Sequence, residues 1–66
     1  MRWHPLDDKT GYWANAPSGD TYIIKRINRN SWEVYRNDEH DPFAIALTKA
    51  RAQQYAEENA VKRGAK

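Results

Sequence analysis

The sequence predicts an α+β domain: an antiparallel sheet of three or four strands with one C-terminal α-helix packed on one face. Three observations lead there. Residues 11–16, 21–27, 31–36 and 43–47 are short runs of aromatic, β-branched and small residues, separated by turn signals at roughly the 8–12-residue intervals of an antiparallel meander. From Thr48 the composition changes to Ala, Gln, Glu, Lys and Arg, with no Gly or Pro before Gly64, which is the composition of a helix. Within that stretch Ala52, Tyr55, Ala56, Asn59 and Ala60 recur at helical spacing, so one mostly alanine stripe faces inward.

Each element has its local reason. Residues 1–10, with Trp3 and Pro5, form an N-terminal segment that either lies across the sheet edge or is loose, and residues 11–66 form the single domain. Pro17-Ser18-Gly19 closes the first expected hairpin, Pro fixing φ and Gly tolerating the left-handed region. Asn28-Arg29-Asn30 is read as a three-residue turn with a bulged, left-handed Asn30. That turn pairs Arg26 with Trp32, Ile24 with Val34 and Tyr22 with Arg36 on one face, and Ile23 with Tyr35 and Lys25 with Glu33 on the other. A two- or four-residue turn would shift the pairing by one and move every side chain. The first register is preferred because it gathers Ile24 and Val34 under the helix and sets Lys25 opposite Glu33. In "FAIAL" (43–47) the large side chains Phe43, Ile45 and Leu47 alternate with alanines and are expected to face the core. Thr48 is placed to cap the helix, Lys62 and Arg63 suit its C-terminal end, and Gly64 its stop.

Composition narrows the function. A chain of 66 residues without cysteine has no disulfide staples or thiolate metal clusters and must be stabilised by a dense core or a partner. Three Trp, four Tyr and one Phe supply that core. Adjacent strand residues point to opposite faces, so Tyr12 and Trp13 cannot both be buried. An exposed aromatic near cations is the make-up of a protein interface. Tyr12, Trp13, Lys25, Arg29 and Tyr35 are therefore the candidate partner-binding residues.

The formal net charge is +2, distributed as −1 over residues 1–24, +3 over 25–36, −3 over 37–42 and +3 over 43–66. Lys25, Arg26, Arg29 and Arg36 are the candidate phosphate contacts. The total falls short of the basic stripe of a protein that grips duplex DNA unaided. Lys62, Arg63 and Lys66 could add to an anionic contact or serve solubility. His40 among Asp38, Glu39 and Asp41, and His4 near Asp7 and Asp8, lack a fixed ligand spacing, so no metal site is assigned. Neither a hydroxyl–histidine relay nor a glycine-rich phosphate loop is legible, and neither enzymatic activity nor a cofactor is expected. No apolar run is long enough to span a membrane, and the N-terminal stretch lacks the apolar centre of a secretory signal. A cytoplasmic protein is expected.

The aromatic strands with "WEV" (32–34), followed by "FAIALTKARAQQYAEENA" (43–60), resemble small bacteriophage and prophage proteins of β-meander plus C-terminal helix type. The same order is similar to the plant ethylene-response DNA-binding domain and to the arm-binding domain of tyrosine-type phage integrases. The resemblance implies a bacterial host cytoplasm, a helix on one sheet face, and a helix-free face that enters the DNA major groove. Carried over, Lys25, Arg29, Glu33 and Tyr35 would be the reading residues. Together these readings give a non-enzymatic protein-interaction module, an adaptor or inhibitor of a host complex. The alternative is a nucleic-acid-binding module using the helix-free face.

Overall fold

The computed structural model describes residues 1–37 and 39–64; Asp38 of the expected acidic loop and Lys66 of the C-terminal basic cluster lie outside them. Strands β1 (His4–Pro5), β2 (Gly11–Asn15), β3 (Thr21–Asn28), β4 (Ser31–Arg36) and β5 (Ala44–Ala46) precede the helix α1 (Lys49–Gly64). The strands form one antiparallel sheet in the order β1-β2-β3-β4-β5. The chain is thus α+β, with five strands where three or four were expected. The extra one is β1, in which His4 pairs with Trp13 and Pro5 with Tyr12. Proline cannot donate to a ladder, which confines it to an edge such as this.

The hairpin adopts the preferred register: Tyr22 opposite Arg36, Ile24 opposite Val34 and Arg26 opposite Trp32, with Ile23–Tyr35 and Lys25–Glu33 on the reverse. Its turn differs from the one expected. Asn28 pairs with Ser31, leaving a two-residue connection, and the irregularity falls between Arg26 and Asn28, at Ile27. Asn30 is not left-handed; its N–H instead donates to Asn28 Oδ1 at 2.9 Å, an Asx turn that does the same closing work. One extra residue in the strand and one fewer in the turn leave the pairing unchanged.

The last strand corrects a second expectation. Ala44 pairs with Val34 and Ala46 with Trp32, so the alanines lie on the helix side, while Ile45 lies opposite Glu33 on the reverse. Ile45 and Leu47 are 63% and 73% exposed; of the three large residues, Phe43 alone packs on the core. At β5 the packing is small on small: Ala46 lies 3% exposed on the side of the sheet where α1 buries Ala52 and Ala56, while the larger Tyr22, Ile24 and Val34 fill the floor on β3 and β4.

Thr48 caps α1 as expected, its Oγ1 accepting from Arg51 N at 3.1 Å. Helical geometry includes Gly64, the residue expected to lie just beyond the helix as its stop. Tyr22, Ile24 and Val34 are the largest fully buried side chains. Half-buried Tyr12, Trp32, Phe43, Tyr55 and Ala60 pack around them. Asn59, the polar member of the inner stripe, accepts from the Tyr22 hydroxyl at 2.7 Å and from Arg36 Nη1 at 3.2 Å. At the helix's C-terminal end Arg63 Nε pairs with Asp20 Oδ2 at 2.6 Å. Asp20 also accepts from Ser18 Oγ and Asn37 Nδ2. The Arg63 contact, then those of Asn37 and Ser18, hold the Asp20 carboxyl down to about 2.

Candidate functional site

The sheet has two unequal faces. α1 covers one. The other carries two rows of side chains, set by the observed registers. His4, Trp13, Ile23 and Tyr35 run across β1 to β4, and Lys25, Glu33 and Ile45 run beside them across β3 to β5. No strand or helix among the described residues lies over this face. The His4 ring sits against the Trp13 indole, with centroids 4.6 Å apart and planes tilted by 31°. Trp13, Ile23 and Tyr35 are half-buried by one another and by the strands beneath. The row is therefore a continuous apolar strip. A depression of about 330 Å³ borders its Tyr35 end, lined by Ile23, Lys25, Tyr35, Asn37, Glu39 and His40.

The electrostatics of this face are balanced. Lys25 stands opposite Glu33, but the Glu33 carboxylate accepts from the Tyr35 hydroxyl at 2.5 Å. That bond, which a phenolate could not donate, is the main reason the Tyr35 pKa is raised. Asp8, in the turn between β1 and β2, accepts from Thr10 N and Thr10 Oγ1. Those bonds, with a smaller contribution from Lys25, lower its pKa.

The residues proposed from sequence separate into three groups. Trp13, Lys25 and Tyr35 lie on the helix-free face, and Arg29 is exposed at the hairpin tip. Tyr12 is on the helix side, packed on the core, with Lys49 Nζ 3.9 Å from its ring centroid. Arg26 and Arg36 also point to the helix side. Arg26 lies across from Trp32, and its Nε donates to Asn28 O at 3.4 Å. Arg36 is engaged internally: it pairs with Glu39 at 3.0 Å, bonds Asn59, and lies over the Phe43 ring at 5.7 Å. Its buried Nε has no acceptor among the described residues. The two histidine–carboxylate clusters do not assemble a group of three ligands among the described residues; His4 packs on Trp13 instead.

Sequence reasoning missed His4 and Ile45 as members of the face; it placed Ile23 there opposite Tyr35, as observed, but not beside Trp13. Alternation alone could have placed Ile23 beside Trp13 once the pairing of β2 with β3 was known. Nothing in the spacing pointed to His4. No helix of the described chain is long and apolar enough to cross a membrane. No family model matches the chain, and no curated protein or solved structure is significantly similar to it.

Proposed function

We propose that the protein is a non-enzymatic protein-interaction module, and that its helix-free sheet face is the docking surface. The observation that carries this reading is the strip His4–Trp13–Ile23–Tyr35 with Ile45 beside it: aromatic, continuous, uncovered and without excess charge. Aromatic residues at the centre of a patch with a polar surround are the usual composition of an interface hot spot. A molecule 36 × 22 × 21 Å in extent has long faces close to the ~800 Å² that one partner contributes to a standard interface. Both sheet edges are short, two residues in β1 and three in β5, so they offer little ladder for strand addition. The partner fits as a face rather than as an added strand.

The same geometry favours a protein over nucleic acid as the occupant of this face. Lys25 is the cation within its rows, Glu33 sits across from it, and Arg26 and Arg36 belong to the other side. The phage resemblance makes a host protein the natural candidate, with the module adapting or blocking a host complex. The test is capture from a bacterial lysate with the wild-type chain and with Trp13→Ala, each with and without nuclease. A protein held by wild type, released by Trp13→Ala and indifferent to nuclease is expected. Capture abolished by nuclease, or undiminished by Trp13→Ala, would overturn the proposal.

A further inference from the structure

A second surface, on the helix side of the sheet, has a different chemistry. The turn between β1 and β2, the Arg26–Trp32 rung and the first residue of α1 converge on a shallow cleft of about 460 Å³. It is lined by Lys9, Thr10, Gly11, Tyr12, Arg26, Trp32 and Lys49. Three of these are cationic and none is acidic. Among the described residues no carboxylate is ion-paired with Lys9, Arg26 or Lys49. The nearest acid in sequence, Asp8, is not itself a lining residue, and its carboxylate is engaged by Thr10 N and Thr10 Oγ1. The Lys49 ammonium rests on the Tyr12 ring, a contact that positions the charge without neutralising it.

Lys9 adds an independent observation. Its backbone is left-handed, φ 61°, in a turn closed by Lys9 N donating to Leu6 O and Leu6 N donating to Gly11 O. Gly or Asn is the ordinary occupant of such a position, and a long side chain there is strained. Folding alone would favour glycine at position 9, yet the residue there is a lysine that lines the cleft.

We propose that this cleft binds a nucleotide. Lys9, Arg26 and Lys49 hold the phosphate, and the base lies against the Trp32 indole, which lines the cleft half-buried. Cations converging without acids suit a phosphate dianion, and an indole wall suits any base because every base has a π face. The cleft volume accommodates one such unit. A free mononucleotide and one residue of a single strand present the same chemistry.

The experiment is a titration followed by ¹H–¹⁵N NMR on the full chain, with AMP, adenosine, inorganic phosphate and the tetranucleotide d(T)4 as probes. AMP is expected to shift the Thr10 and Lys49 amides and the Trp32 indole N–H saturably, more tightly than adenosine or phosphate alone. Lys9→Gly relieves the backbone strain, so the fold survives, yet it should weaken AMP binding by about threefold or more, the value of one exposed charge contact. Lys49→Gln should act in the same direction, and Lys25→Ala, on the opposite face, should leave binding unchanged. Tighter binding of d(T)4 than of AMP identifies a strand as the source, and equal or weaker binding a free nucleotide. Four results would each overturn the proposal: no saturable shift with any probe, shifts centred on Lys25 and Tyr35, adenosine or phosphate binding as tightly as AMP, or Lys9→Gly binding like wild type.

Discussion

The Tyr22 hydroxyl is the one polar group carried by the largest fully buried side chains, and Asn59 is its acceptor. The perturbation of interest is Asn59→Ala, made alone and on a Tyr22→Phe background. Removing the acceptor leaves a buried hydroxyl unsatisfied, a cost of about 1–3 kcal/mol. Alanine returns about 0.6 kcal/mol, because asparagine is the poorer helix former. A net loss of about 1.5 kcal/mol follows. A chain of 66 residues is stable by only about 3–10 kcal/mol, so this is a large fraction. On the Tyr22→Phe background the orphan hydroxyl is gone. Only the Arg36 Nη1 bond at 3.2 Å is then lost, and water can replace it in part, since the Arg36 side chain is 21% exposed. There the helix-propensity gain should bring the Asn59→Ala effect close to zero. The cycle therefore predicts a coupling of about 1.5 kcal/mol between positions 22 and 59. Urea unfolding with an m-value of about 1 kcal/mol/M reads it as a midpoint about 1.5 M lower in the first background and nearly unmoved in the second. Equal losses in both backgrounds would show that Asn59 does not satisfy Tyr22, and the account of the polar residue in the alanine stripe would be wrong.

Three further outcomes follow from the same packing. Gly11→Ala should destabilise by about 2–3 kcal/mol, as overpacking does, because a Cβ there would meet the Ile24 carbonyl oxygen well inside contact distance; a urea midpoint within error of wild type would refute the close approach of β2 to β3. Ala56→Leu should cost about 1–3 kcal/mol while Ala50→Leu, on the exposed side of α1, stays within about 0.5 kcal/mol, and equal thermal midpoints would show that the helix does not lie close on the sheet. The Asp20 carboxyl is depressed to about 2 from an ordinary 3.8, so its contribution is fully present above that ordinary value and is lost as pH falls toward 2; Asp20→Asn should flatten the acid limb of a melting-temperature profile over that window, and an unchanged limb would mean that Arg63 does not hold α1 to the turn.

Much of this fold could be read from sequence because strong local signals agreed. Ile24 and Val34 had to share a face to give the helix a floor, and that condition, with Lys25 set opposite Glu33, selected the register. Thr48 and the alanine spacing fixed the start and inner side of α1. The orientation of β5 was not legible. Size pointed Phe43, Ile45 and Leu47 inward, but Ala44 and Ala46 take the helix side at β5, where Ile24 and Val34 already fill the floor. The decisive variable, the path of residues 37–43, carries no periodic signal. β1 was obscured by Pro5, which ordinarily argues against a strand. Of the strip on the helix-free face, Ile23 and Tyr35 were legible from the register, and alternation required one of Tyr12 and Trp13 to join them without choosing between the two. The cleft was not, because Lys9 and Lys49 are distant in sequence and only the topology brings them together.

Charge is where sequence and structure diverge most, and the reason is geometric. The block Lys25, Arg26, Arg29 and Arg36 looks like one basic surface when written in a line. A pleated hairpin distributes it. Lys25 goes to the open face opposite Glu33, Arg26 to the helix side, Arg29 to the tip, and Arg36 into an internal pair with Glu39 and Asn59. The reverse occurs at the N-terminal end of α1, where cations from three separate segments meet without an acid among them. Alternation dilutes contiguous charge, and topology concentrates scattered charge. A field calculated from sequence blocks would put the anion-attracting region on the helix-free face. The fold instead gathers Lys9, Arg26 and Lys49 on the helix side and leaves the open face to its aromatic strip. The two surfaces should therefore respond differently to salt: binding at the cleft weakens as exposed phosphate contacts are screened, while a partner seated on Trp13, Ile23 and Tyr35 is held by apolar burial, which salt leaves largely intact.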